Sequence, residues 1–103
     1  MPVVVTAVFY PIPGRNAELI DALRATIPAV HGEEGCLLYA IHDAADGSIT
    51  MIEKWESAEA LEAHASGAPV KALRSAVEGL VAQAATVTTM TPLPAGTAEK
   101  GEL

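Results

Sequence analysis

The sequence predicts an α+β domain with the ferredoxin-like, split βαβ order of strand, helix, strand, strand, helix and strand. Three observations support this prediction. Four segments alternate in hydrophobicity as strands do, the segments between them carry apolar residues at helical intervals, and turn-forming residues lie at the junctions. We therefore expect a four-stranded antiparallel sheet with both helices on one face, the second helix being in two pieces.

The first strand, Val3 to Phe9, is rich in β-branched residues and is followed by the turn sequence Tyr-Pro-Ile-Pro-Gly. Both of its faces are apolar, and a strand of this kind is covered on both sides. Because the helices cover only one face of the sheet, we expect a second copy of the chain to cover the other. The sequence thus predicts a homodimer with its sheets packed face to face.

A stripe of apolar residues at helical spacing predicts the first helix after Gly14. Its members are Leu19, Ile20, Leu23, Ile27 and Val30. Asn16 or Gly14 is the expected cap at its start. Pro28 removes a backbone donor and crowds the preceding turn, so we expect it to kink or end the helix.

The second strand is predicted from Cys36 to His42 and the third from Ser48 to Glu56, with Asp46-Gly47 as the hairpin signal between them. In the third strand the alternation of side chains places Glu53 and Trp55 on the same face. A carboxylate on a covered face is costly to bury without a partner. We therefore expect Glu53 to pair with a histidine, lysine or arginine.

Ser57 is a good N-cap for the first piece of the second helix, because its hydroxyl can accept a bond from an otherwise unpaired backbone amide. This piece is predicted to reach about Ser66, and Leu61 and His64 share its apolar face. Pro69 suits the first turn of the second piece.

The last strand is predicted from Ala84 to Met90. Residues 1–91 are then one domain. Residues 92–103 contain proline, glycine and charged residues without periodicity, and we interpret them as a C-terminal tail.

The composition excludes several classes of partner. The net charge is −7 with only six Lys and Arg residues, which argues against nucleic acid and against an anionic membrane surface. A single cysteine rules out an internal disulfide and fits a reducing compartment. Neither a signal peptide nor an apolar run long enough to cross a membrane is visible, so we expect a cytoplasmic protein.

Four pieces of the chain resemble the antibiotic biosynthesis monooxygenase (ABM) family: Phe9–Gly14, Glu33–Tyr39, Glu53–Ser57 and Glu59–His64. They occur in the order and at the spacing of that family, and the resemblance covers roughly residues 3–91. It implies a dimeric α+β barrel, in agreement with the fold predicted above. Characterised members include monooxygenases that oxidise quinols and anthrones without a cofactor.

The haem-degrading branch of this superfamily resembles the chain less well. That branch has an asparagine on the first strand, a tryptophan on the helix and a ligating histidine further along. Here the first strand has no asparagine, His64 lies near the tryptophan position, and Leu73-Arg74 lies near the histidine position. The resemblance therefore favours the quinol branch.

In that branch an electron-rich phenol or quinol loses a proton, and its anion donates an electron to dioxygen. His64 is the candidate catalytic base, since a histidine exchanges protons near neutral pH. It could instead line a pocket without reacting, or be a structural residue bonded to Glu53 or to a strand carbonyl. We expect no cofactor, and no metal-binding set such as HExxH or a cysteine pair is present.

Four further residues are candidates for substrate binding: Phe9, Tyr39, Glu53 and Trp55. Trp55 is expected either to form an aromatic wall or to fill the core. Tyr39 is expected either to donate its hydroxyl to a substrate oxygen or to pack at the dimer interface, and Phe9 to be in the core or interface.

The resulting hypothesis is a cofactor-independent monooxygenase of a phenolic, quinol or anthrone-type aromatic compound. The alternative is a non-catalytic small-molecule-binding or accessory dimer on the same fold. An isomerase or a lyase-like protein is a third possibility.

Overall fold

The computed structural model describes all 103 residues. Its elements in chain order are β1 (Val3–Phe9), α1 (Asn16–His31), β2 (Cys36–Asp43), β3 (Ile49–Trp55), α2 (Ala58–Ala65), α3 (Ala68–Val77) and β4 (Thr86–Met90). The strands form one antiparallel sheet in the order β2-β3-β1-β4. The predicted α+β fold is thereby confirmed, including the division of the second helical segment into two pieces.

The side chains of β3 alternate between a buried and a half-buried face. Glu53 and Trp55 both lie on the buried face, which the helices cover, as the alternation predicts. This face forms the core together with α1 and α3, whose buried residues include Leu19, Leu23 and Leu73.

The strand register aligns four side chains in a row across the sheet. Glu53 of β3 lies opposite Tyr39 of β2 on one side and Val5 of β1 on the other, and Val5 in turn pairs with Thr89 of β4. Because paired residues project to the same face of a sheet, the four side chains lie side by side on the face that carries the helices. We call these four residues the cross-strand row.

One expectation for α1, its N-cap, is wrong, and of the two outcomes expected at Pro28, an end to the helix does not occur. Its N-cap is Arg15, without a side-chain cap bond. Asn16 is instead the first helical residue, and its amide donates a 3.1 Å bond to the carbonyl of Gly47 in the β2–β3 loop. Pro28 does not end the helix, which continues to His31. It lies in the last turn, where its missing N–H removes only one helical hydrogen bond.

The start of α2 follows the predicted capping. The Ser57 hydroxyl accepts a 3.1 Å bond from the backbone N–H of Ala60, and the helix ends at Ala65 with Ser66 as its C-cap. Gly67 is the N-cap of α3, and Pro69 lies in its first turn as expected. A separate short helix thus presents His64 toward the sheet.

The sheet face away from the helices is only partly covered in the single chain, since Val4 is buried there whereas Val8 and Ile52 are half-buried. Its apolar members are Val4, Val8, Leu38, Ala40, Ile52 and Met90, alternating with the buried face along each strand. Residues 92–103 contain no helix or strand, and the carbonyl of Leu103 accepts a hydrogen bond from Lys54 on this same face. No helix has the length and hydrophobicity needed to cross a membrane.

Candidate active site

A cavity of about 300 Å³ lies between the covered face of the sheet and helices α2 and α3. Its wall is mostly apolar, and ten of its fourteen lining residues are hydrophobic. The fourteen are Val5, Ala7, Phe9, Tyr39, Glu53, Leu61, His64, Ala65, Val70, Leu73, Arg74, Ala85, Val87 and Thr89. A small apolar cavity with a few convergent polar groups is the usual form of a small-molecule site.

Three members of the cross-strand row, Tyr39, Glu53 and Val5, are buried and form part of the cavity floor. The fourth, Thr89, is exposed and lines the cavity at its mouth. Phe9, two rows along β1 from Val5, lines it as well. Of the five site residues predicted from the sequence, the structure brings His64, Tyr39, Glu53 and Phe9 to one cavity. Trp55 does not line it.

His64 enters the cavity from the last turn of α2, and only 4% of the residue is exposed. Its Nδ1 lies 2.8 Å from Oε1 of Glu33. Because a carboxylate accepts, Nδ1 carries the proton, and the lone pair of a neutral ring is then on Nε2. Nε2 makes no hydrogen bond within the protein. Because every side-chain nitrogen or oxygen that is sealed from solvent does have a hydrogen-bond partner, Nε2 must be in contact with solvent. The nitrogen that can take up a proton is therefore also the accessible one.

Glu33 is a site residue that the sequence interpretation missed, and it replaces the expected partners of His64. It precedes β2 and lies 31 residues from His64 along the chain. Gly35 brings this loop onto α2: its φ is +83°, and a Cβ placed there would lie 2.5 Å from the Cβ of Ala60. The sequence signal was an acidic residue two positions before a glycine, which by itself indicates only a turn.

Trp55 lies behind His64 rather than in the cavity wall. It is fully buried, and its ring centroid is 4.5 Å from that of His64 with 30° between the planes. The indole N–H donates a 3.0 Å hydrogen bond to Oε1 of Glu53. Trp55 therefore fills the core and supports both polar side chains, while Phe9 and Tyr39 provide the aromatic surface of the cavity.

Glu53 has a different partner from the one predicted. The indole of Trp55 bonds it, and neither histidine, lysine nor arginine does. Burial raises the pKa of the Glu53 carboxyl, although the indole bond and the nearby His64 act in the opposite direction. A carboxyl held in such surroundings keeps its proton to higher pH and can then donate a hydrogen bond.

Tyr39 projects to the helix-covered face, so the expectation that it packs at a sheet-to-sheet interface is wrong. Its ring makes edge contacts with Trp55 and His64, with centroids 6.3 and 5.4 Å away. Its hydroxyl has no hydrogen-bond partner and is not sealed from solvent. Burial, followed by the charges of Glu53 and Glu33, raises the pKa of Tyr39. The hydroxyl thus stays protonated and can donate to a ligand oxygen.

Arg74 of α3 is a second functional candidate that was not predicted as a site residue, and unlike Glu33 it lines the cavity. It is exposed, and it is the only lysine or arginine among the lining residues. It lies one turn after Val70, which also lines the cavity. No group of three or more His, Cys, Asp or Glu side chains is arranged to hold a metal ion.

A sequence model of the family described as "Antibiotic biosynthesis monooxygenase" matches residues 2–79. The chain is 32% identical over 93 residues to "Putative monooxygenase Rv0793" of Mycobacterium tuberculosis, across 89% of this chain and 92% of that protein. It is 41% identical over 71 residues to "Probable quinol monooxygenase YgiN" of Escherichia coli K12, across 59% of this chain and 68% of that protein.

Solved structures give the same relationship. The structure of Rv0793 matches with a TM-score of 0.84 at 31% identity, covering 94% of this chain and 100% of that one. The structure of PA3566 from Pseudomonas aeruginosa matches with a TM-score of 0.79 at 26% identity, covering 89% and 94%. The chain is thus similar to these proteins in both sequence and fold.

Proposed function

Because the chain belongs to the antibiotic biosynthesis monooxygenase family, we propose that it is a cofactor-independent monooxygenase of a phenolic, quinol or anthrone-type aromatic compound. The family relationship gives a monooxygenase-like function. The substrate class and the roles of the residues are our proposal. The observation that carries it is the free Nε2 of His64 at an apolar cavity, with Nδ1 held by Glu33.

The first step is removal of a proton from the substrate hydroxyl by Nε2 of His64. The ring becomes positively charged, and the carboxylate of Glu33 stabilises this charge through the bond to Nδ1. Tyr39 holds the substrate oxygen from the floor by a hydrogen bond from its hydroxyl. Negative charge on that oxygen is stabilised by this donor, which is already in position.

The substrate anion then transfers one electron to dioxygen, and the two radicals combine to form a carbon–oxygen bond. The resulting peroxide anion takes the proton back from Nε2 of His64. The hydroperoxide then loses water as a carbonyl forms at the same carbon, whose hydrogen leaves in that water. One oxygen atom of dioxygen is thus in the product and the other is in water, and no external reductant is consumed. The apolar wall of the cavity excludes water, which would otherwise solvate the anion.

Oxygen consumption with a panel of naphthoquinols and anthrones tests the proposal. We expect uptake above the autoxidation rate, and a decrease in kcat of about 10²–10⁴-fold for His64→Ala. The control is His42→Ala, because His42 is exposed and does not line the cavity. Uptake no greater than autoxidation, or equal uptake by His64→Ala, would contradict it. A ligand that raises the melting temperature without turnover would instead indicate the non-catalytic binding protein.

We further propose that the working unit is a homodimer. The support is the open sheet face, where Val8, Leu38 and Ile52 are only half-buried in the single chain. A sheet with apolar residues on both faces is covered on both. The twofold arrangement is the most common way for a chain to cover such a face with its own copy. The cavity lies on the opposite face, so this contact leaves it accessible.

A further inference from the structure

The cavity carries a positive charge that the chemistry proposed above does not use. Arg74 makes no hydrogen bond or ion pair, since the two ion pairs of the chain join Arg15 to Glu18 and His64 to Glu33. Glu78, one turn further on, does not pair with it. This is unexpected in a chain with 13 acidic and six basic residues, where carboxylates are plentiful.

Arg74 lies at the mouth of the cavity, not at its floor. The exposed lining residues are Ala65, Arg74, Val87 and Thr89, whereas His64, Tyr39 and Glu53 are buried. The rest of the mouth is therefore small or apolar, with a single hydroxyl from Thr89. The positive charge of Arg74 also acts to lower the pKa of the Tyr39 hydroxyl. The electrostatic effect of Arg74 therefore extends into the cavity.

A ligand in this cavity meets different chemistry at its two ends. The buried end offers Nε2 of His64 and the hydroxyl of Tyr39, which suit a phenolic oxygen. The mouth offers a guanidinium, whose planar N–H groups match a carboxylate. Glu53 cannot serve as that carboxylate, since it bonds Trp55 and does not pair with Arg74.

We propose that Arg74 binds a carboxylate on the substrate, which is therefore a hydroxylated aromatic acid with its hydroxyl and carboxylate at opposite ends. This inference rests on the proposed function for the phenolic end. The cavity of about 300 Å³ is at the small end of ligand-sized pockets, which suits one or two fused rings.

Binding of two matched, non-oxidising probes tests this proposal by calorimetry. The probes are 6-hydroxy-2-naphthoate and 2-naphthol, which differ only by the carboxylate. We expect the acid to bind about tenfold tighter, as a hydrogen-bonded ion pair at a partly exposed site allows. The preference should shrink as salt is added, because exposed charges are screened.

Substitution of Arg74 separates this role from a structural one. Arg74→Met keeps the apolar stem and should bind both probes equally, with the affinity for 2-naphthol unchanged, while Arg74→Lys should keep part of the preference. Lys71→Met is the control, because Lys71 is exposed on the same helix but does not line the cavity. Equal binding of both probes by the unmodified protein, or a preference that survives in Arg74→Met, would overturn the proposal.

Oxygen uptake, measured separately with naphthoquinols, distinguishes this inference from the proposed function. A carboxylate preference without oxygen uptake supports Arg74 as the anion-binding residue and refutes the monooxygenase activity. Oxygen uptake without a carboxylate preference refutes the role of Arg74 alone.

Discussion

The imidazole of His64 and the indole of Trp55 lie nearly stacked, with ring centroids 4.5 Å apart and planes inclined by 30°. Trp55 is the only tryptophan of the chain. Its fluorescence therefore reports on the surroundings of the candidate base without added label. A protonated imidazole is an efficient quencher of indole emission at contact distance, whereas the neutral ring is a weak one.

We expect the fluorescence of Trp55 to fall as the pH is lowered and His64 gains a proton. A pH titration of the emission intensity measures this directly. His64→Gln should abolish the change, while Glu53→Gln should retain it, which separates protonation of His64 from that of the carboxyl bonded to the indole. An unchanged titration in His64→Gln would mean that the signal comes from elsewhere.

Glu33→Gln should lower kcat on an active quinol by at least about tenfold. A glutamine oxygen can still accept the Nδ1 proton, but it lacks the charge that stabilises the imidazolium. Binding of 2-naphthol and the melting temperature should change little, because the hydrogen bond remains. Glu34→Gln is the matched control, since Glu34 is exposed. An equal kcat in both variants would remove Glu33 from the mechanism.

Glu53→Gln should make the stability of the protein less dependent on pH. Burial raises the pKa of Glu53 above its usual value of 4.5, so protonation favours the folded state. The stabilising contribution is fully present below pH 4.5 and is lost as the pH rises through the raised value. The variant should therefore gain in melting temperature relative to the unmodified protein at pH 7 and not at pH 4. A difference in melting temperature between the variant and the unmodified protein that is the same at pH 4 and pH 7 would contradict this account.

Gly35→Ala should destabilise the fold far more than Gly47→Ala. Both glycines have positive φ, +83° and +90°. Any other residue in this conformation destabilises the folded state by about 1–2 kcal/mol. A Cβ at Gly35 would also lie 2.5 Å from the Cβ of Ala60, whereas nothing lies within 4 Å at Gly47. Overpacking of this kind lowers the free energy of unfolding by about 1–3 kcal/mol more. Urea unfolding of the two variants measures the difference. Similar free energies of unfolding would show that α2 moves aside to make room for the added methyl group.

Ile52→Glu tests the proposed dimer. It places a charge on the open sheet face, where burial without a partner is unfavourable. We expect light scattering to give the single-chain mass of 10.6 kDa for this variant and twice that for the unmodified protein. Ala25→Glu on the exposed surface of α1 should leave the dimer intact. A monomeric unmodified protein would exclude the proposal.

Much of the fold could be predicted from local patterns, because each pattern determines a local structure. The alternation in β3 placed Glu53 and Trp55 correctly, and the Ser57 hydroxyl caps α2 as expected. The two differences in α1 have separate causes. The amide of Asn16 bonds the β2–β3 loop instead of its own helix, and Pro28 lies too near the helix end to stop it.

The site was predicted only in part, because its remaining members depend on tertiary contacts. His64 was found from its residue type and its position on the apolar face of α2, and Tyr39 from its residue type alone. Glu33 was missed because nothing in a loop before a strand indicates a partner 31 residues away. Arg74 was considered only as a departure from a haem-ligand position, since an exposed arginine on a helix is usually solvated.

The eight residues of α2 are too few to form a stable helix on their own. The helix is held by its contacts with β3 and α3. It also supplies both Leu61 and His64 to the cavity. The same short helix therefore sets both the width of the cavity and the position of the candidate base, so a shift of α2 would change the two together.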